Sequence, residues 1–173
     1  EALATQAYVL QMLRYVLLIS PAIGWAGEIM VGHLVGSGDF TAAHQLVRKA
    51  FRNGLLASGA MALAAAASAP WLMRFFTRDP AVIEAAQTLL WISLALETGR
   101  VANLVVFGAL RSTGDVILPV SAAIVSIVLV LGFGSLLLGA RYGLVGIWIA
   151  YAADEWIRGA MMFWRWETHG WVG

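Results

Sequence analysis

The chain has 173 residues, 61% of them hydrophobic and 12% charged, with a mean hydropathy of +0.80; in soluble domains about a quarter of residues are charged. Eleven basic and ten acidic residues leave a net charge of +1, too little field to neutralise a nucleic-acid backbone, and the lack of cysteine excludes disulfides and thiolate metal sites. The composition is that of an all-α polytopic membrane protein, in which spans of roughly 20 residues and short connections allow about five crossings in one bundle.

Residues 7–36, "AYVLQMLRYVLLISPAIGWAGEIMVGHLVG", read as a first span, with Pro21 as a kink and Gly24, Gly27, Gly32 and Gly36 permitting close helix contact. Gln11, Arg14 and Tyr15 near one end, and Glu28 and His33 near the other, read as solvated helix ends. "SGDFTAA" breaks the span, and a second helix covers about 41–76, amphipathic and basic at its start and alanine-rich in its body. In "TRDPAVIEA" Asp79 is placed to cap, Pro80 suits the first helical position and Glu84 falls in the first turn. A third span covers about 82–110. "RSTGD" separates it from a charge-free fourth at about 116–138, and "GARYG" leads to a fifth at about 143–166.

Arginines and lysines flanking the spans set orientation. One face gathers Arg48, Lys49, Arg52, Arg111 and Arg165; the other has Arg14, Arg74, Arg78 and Arg141. The balance places the C-terminus in the cytoplasm and residue 1 outside. The chain begins with Glu1, and no short apolar stretch ends in a small-residue cleavage site, so the expectation is a piece from inside a larger protein.

Charges in mid-span are the informative feature. At 100° per residue, Ser93, Glu97, Arg100, Asn103 and Phe107 fall within an arc of about 120° on the third span, and Tyr151, Asp154, Glu155 and Arg158 within about 100° on the fifth. Each ionised group at mid-membrane costs roughly 2.5–3.5 kcal/mol on insertion scales, so pairing is expected: Glu97 with Arg100 at i, i+3, and Arg158 with Asp154 at i, i+4 or Glu155 at i, i+3. Three acids against two bases leave one carboxylate without a fixed partner, available to a proton or a bound cation. Glu97, Asp154 and Glu155 are therefore candidates for cation coupling, with Arg100 and Arg158 as charge partners and Ser93, Asn103, Phe107 and Tyr151 as cavity-lining candidates. The bland alternative is that the charges only staple two helices together. Trp71, Trp148, Trp156, Trp164, Trp166 and Trp171 fit an aromatic belt or core packing.

Enzymatic motifs give little. "GSGD" at residues 36–39 matches the GxGD pattern of intramembrane aspartyl proteases, but Asp154 is the only other aspartate inside a span and lacks the tyrosine–aspartate context of that family; Asp39 is better read as a helix cap. No HExxH, Walker or GxSxG sequence is present, and His33, His44 and His169 lack ligand spacing. The chain does not read as an enzyme.

"IMVGHLVGSGDFTAA", "ETGRVANLVVFGALRSTGD" followed by Pro119, and "DEWIRGAMMFWRWETHGW" resemble, in order and spacing, the C-terminal lobe of multidrug and toxic compound extrusion (MATE) transporters. The first is similar to the end of that lobe's second helix and its following loop, the second to the fourth helix and the "LR-x-x-GD" turn, the third to the last helix. The resemblance covers essentially the whole chain. It implies five helices of a six-helix lobe, most of the first helix being absent, in a twelve-helix, two-lobe transporter of the bacterial inner membrane. It also implies export of cationic or amphipathic drugs in exchange for H+ or Na+ by alternating access, with no cofactor, with the bilayer and a missing N-terminal lobe as partners, and with Glu97 as the nearest match to a cation-binding acid on the fourth helix, where a Na+ would sit. A lipid-linked oligosaccharide flippase of the same general design and a non-transporting membrane scaffold are the rival expectations.

Overall fold

In the computed structural model, which describes residues 2–14 and 18–168, the described residues are helical and form no strand. The helices are α1 (Ala2–Leu13), α2 (Ile19–Gly36), α3 (Phe40–Leu72, prolonged by a 3-10 turn over Met73–Phe75), α4 (Pro80–Ser112), α5 (Ile117–Ser126, continued by a π-helical stretch Ile127–Phe133) and α6 (Gly134–Glu167). Among the described residues three stretches are long and apolar enough to cross a membrane by length and composition: Phe40–Phe75, Pro80–Ser112 and Ile117–Glu167. His169, Trp171 and Tyr15 lie outside the described residues.

The third stretch is two rods. Gly143 adopts φ 60°, ψ −138°, a conformation that suits glycine, and the chain reverses there. Gly146 lies against the carbonyl of Leu138, Gly139 against Ile147 and Gly134 against Ala150, the pairing of an antiparallel hairpin. The expected fourth and fifth spans are its two arms, although α-helix geometry gives way to π-helix over residues 127–133. The expected first span, 7–36, is not continuous. Helix α1 ends at Leu13 and α2 restarts at Ile19, which puts Pro21 in a first turn, where its missing N–H and ring are tolerated, instead of at a kink. The two pieces run along successive halves of α4: Val9 and Leu13 pack with Leu89 and Leu90, while Gly24 meets the backbone of Leu104.

Local signals place the remaining ends. Asp39 caps α3 by accepting from the Ala42 N–H at 2.9 Å, and Asp79 caps α4 by accepting from the Ala81 N–H at 3.0 Å with Pro80 opening the helix. Because α4 begins at Pro80, Glu84 sits in its second turn and not its first.

Helix α4 is the hub, packed against α1, α2, α3 and α6. Small residues let its neighbours approach. The face that α3 turns inward is Gly54, Ser58, Ala62, Ala66 and Ala69, and Gly99 and Gly159 hold α4 and the second arm of α6 together, Gly99 under the Trp156 ring and Gly159 against Ala102 and the Asn103 N–H. Two apolar clusters form, one around Val9, Met73, Val82, Leu90 and Trp148, the other around Val31, Val47, Val106, Leu110, Met162 and Trp166.

A methyl group at Gly146 would lie 2.1 Å from the Leu138 carbonyl oxygen, whereas one at Gly59 would meet only Thr98 Cγ2 at an ordinary 3.6 Å. Gly146→Ala is therefore expected to lower the melting temperature of the full-length protein measurably, by overpacking worth about 1–3 kcal/mol, and Gly59→Ala to leave it unchanged or raised, helix propensity favouring alanine by about 1 kcal/mol. Thermal melts of both variants in detergent give the comparison.

Candidate functional site

Between the two apolar clusters lies a layer of charge. Helix α4 supplies Glu97, Arg100 and Asn103, and the parallel second arm of α6 supplies Asp154, Glu155 and Arg158. Glu97 Oε1 accepts from Arg100 Nη1 at 2.8 Å. Arg100 Nε lies 3.6 Å from Glu155 Oε1, which is also 3.4 Å from Arg158 Nη2, and Arg158 Nη2 forms an ion pair with Asp154 Oδ2 at 2.6 Å. Glu155 thus joins the two arginines, and its second oxygen accepts from Asn103 Nδ2 at 2.9 Å. The chain of contacts continues to α5, where Ser126 donates to Asp154 Oδ1 at 2.6 Å.

The pairing differs in detail from a simple surplus of one acid. Every carboxylate touches an arginine, and two atoms of the layer lack a hydrogen-bond partner: Nε of Arg158, a donor, and Oε2 of the fully buried Glu97, its one bare carboxylate oxygen. A buried acceptor left bare costs about 1–3 kcal/mol, more when charged. A proton or a small cation at that oxygen would remove the deficit. With all five groups ionised the layer carries a net charge of −1.

The other candidates lie apart from the ion pairs. Ser93, buried a turn before Glu97, donates to the Leu89 carbonyl and accepts from the Trp148 indole N–H at 2.8 Å. Tyr151 is half exposed, its ring beside Trp148. Phe107 faces the groove between α2 and α4, with the Arg111 guanidinium 6.0 Å from its ring centre. Two further residues enter the site from outside the charged stripes: Ser126, the middle of three serines in the charge-free span 116–138, and Trp156, whose indole N–H donates to the Ala95 carbonyl at 2.8 Å; a serine inside the apolar run "AAIVSIVLV" is the one sequence signal for the first.

At the end of the bundle where α2, α4 and α6 terminate, three further pairs cross between elements. Arg111 grips Glu28 through Nε at 2.9 Å and Nη2 at 2.6 Å, Arg165 donates to Asp115 at 2.7 Å, and Arg48 reaches Glu167 at 3.0 Å. Glu28 is thus a cross-helix partner and not merely a solvated helix end. His33 is exposed, and His44 stacks on Trp166 beside Glu167. Among the described residues no group of three or more histidine, aspartate or glutamate side chains is arranged to hold a metal ion.

Removing one partner of a buried ion pair strands the other, at a cost of about 3–5 kcal/mol, while removing both is far milder. Arg158→Gln is expected to destabilise the full-length protein strongly and Arg158→Gln with Asp154→Asn to recover more than half of that loss, read as a double-mutant cycle of melting temperatures.

The MatE family model matches residues 1–136. "Uncharacterized transporter YisQ" of Bacillus subtilis (strain 168) is 33% identical over 177 aligned positions, covering 99% of this chain and 38% of the relative. "Probable multidrug resistance protein NorM" of Chromobacterium violaceum is 30% identical over 166 positions, covering 92% of this chain and 36% of the relative. The chain therefore spans little more than a third of the length of these two relatives, and no solved structure matches it significantly. An apolar helical bundle with charge buried at mid-height, a family match over most of its length and two such relatives lead to one conclusion: the chain belongs to the MatE family of membrane transporters.

Proposed function

We propose that this chain is the C-terminal lobe, without most of its first helix, of an antiporter that exports cationic or amphipathic compounds across the bacterial inner membrane in exchange for H+ or Na+, its C-terminus being cytoplasmic. The observation that carries this reading is the bare Oε2 of Glu97 inside a charged layer held between two apolar clusters. An intramembrane acid is costly and by default marks an ion or solute path, and a layer with one negative charge to spare attracts either a coupling cation or a cationic solute.

Exchange follows from competition. A cation on Glu97 neutralises the surplus, relaxes its attraction for Arg100 and removes the potential that holds a cationic solute; its release restores that potential. Binding energy enters the conformational equilibrium only through this difference between states, so the lobes rock about a central cleft as the load changes. A single bare oxygen takes a proton without rearrangement. Sodium requires further oxygen ligands, which backbone carbonyls or water would have to provide.

The rival readings differ in charge. A flippase for a lipid-linked pyrophosphate needs a cavity with surplus positive charge, and here the two mid-span arginines are outnumbered by three carboxylates. A scaffold needs no bare carboxylate oxygen.

Glu97→Gln in the full-length protein is expected to abolish cation-driven efflux of a fluorescent cationic dye from cells while leaving expression and monodispersity intact. Dye efflux at the wild-type rate would return Glu97 to a structural role.

A further inference from the structure

The second site lies at the opposite end of the bundle from the three cross-linking ion pairs. Helix α3 has 33 residues, about 50 Å of helix at 1.5 Å per residue, against a hydrocarbon layer about 30 Å thick, so the turn from α3 into α4 stands in the headgroup layer. A cleft of about 770 Å³ opens there, and Arg74, Arg78, Glu84 and Gln87 supply its polar lining. Among the described residues none of the three charged groups has an ion-pair partner, whereas Arg48, Arg111 and Arg165 at the other end are all matched by carboxylates. Next in sequence to the lining residues Pro70 and Arg74, Trp71 is 69% and Phe75 85% exposed, aromatic rings of the kind that settle among glycerol and upper acyl carbons.

This lining has the charge pattern of a particular ligand. Two guanidinium groups match a phosphodiester, which they can hold by paired N–H donors, and a carboxylate in the same cleft matches a primary ammonium. We propose that the cleft binds a phospholipid whose headgroup carries both phosphate and a primary amine, a phosphatidylethanolamine, with Arg74 and Arg78 on the phosphate, Glu84 and Gln87 receiving the ammonium, and the acyl chains descending past Trp71 and Phe75. A purely anionic headgroup can occupy the arginines but brings no ammonium donor to Glu84. A choline headgroup offers no N–H to it. The site is separate from the mid-membrane charges and stands whether or not Glu97 couples transport.

The test is lipid retention by the purified full-length protein, read by native mass spectrometry during titration with phosphatidylethanolamine, phosphatidylglycerol or phosphatidylcholine of matched chains. The wild type is expected to retain phosphatidylethanolamine at least about fivefold better than either of the others. Arg74→Gln with Arg78→Gln is expected to reduce retention of all three to a common low level, Glu84→Gln to remove only the preference for the amine, and Arg141→Gln on the same face to change nothing. Equal retention of the three lipids by the wild type would overturn the proposal, as would a Glu84→Gln protein that keeps the preference. Glycerophosphoethanolamine, which has the headgroup without chains, is expected to compete at least about tenfold more weakly than the lipid; competition at equal concentration would make the cleft a headgroup site that needs no acyl chains and overturn lipid binding. Glu84→Gln leaves both arginines in place, so its result decides the matter even should the double arginine variant fail to fold.

Discussion

The bridge made by Glu155 is the contact on which the interior depends. Its carboxylate stands between Arg100 of α4 and Arg158 of its own helix and is steadied by Asn103. In a medium with no water to solvate them, five charged groups are tolerable only as one connected set, because each stranded charge must bear its desolvation alone. The connection requires the two helix backbones to be close. Gly99 and Gly159 provide this: side chains at either position would run into Trp156 or into Ala102 and Asn103 and spread the pair apart. Glycine packing and charge pairing are therefore a single design, in which small residues set the distance that the ions require.

The same arrangement divides the bundle into zones. Apolar clusters close it above and below the charged layer, and at one end the pairs Glu28 with Arg111, Asp115 with Arg165 and Arg48 with Glu167 tie α2, α3, α4 and α6 to one another. Such cross-links favour movement of these helices as a body, which is what rocking of one lobe against another needs. The opposite end has no comparable ties among its described charges. Its described arginines are exposed instead, and the asymmetry gives the bundle one braced end and one without such cross-links.

The hairpin of α5 and α6 connects to the charged layer differently. Most of α5 and all of its π-helical continuation are turned outward, yet Ser126, at their junction, reaches Asp154. The irregular turn geometry begins at the residue after that hydrogen bond. Irregular helix turns are common at functional positions, and here one adjoins the far end of the ion-pair chain.

Much of this was legible in the residues. Hydropathy gave the membrane class, the caps Asp39 and Asp79 gave helix starts, and the i, i+3 and i, i+4 spacings gave the Glu97–Arg100 and Asp154–Arg158 pairs, because those interactions are local and follow from helix geometry alone. The break before Pro21 was not legible, since a proline in a hydrophobic run is compatible with a kink or with a new start, and packing against α4 chooses. Nor was the partner of Glu28, or the role of Ser126, both of which depend on residues far away in sequence. The sequence by itself determined that charge is buried at mid-height and how much of each sign there is, for composition and periodicity are properties of single helices. Only the tertiary structure decided that Glu155 is the bridge and that the bare carboxylate oxygen belongs to Glu97, because which carboxylate meets which arginine depends on the register between helices, and register is set by side chains packing across them.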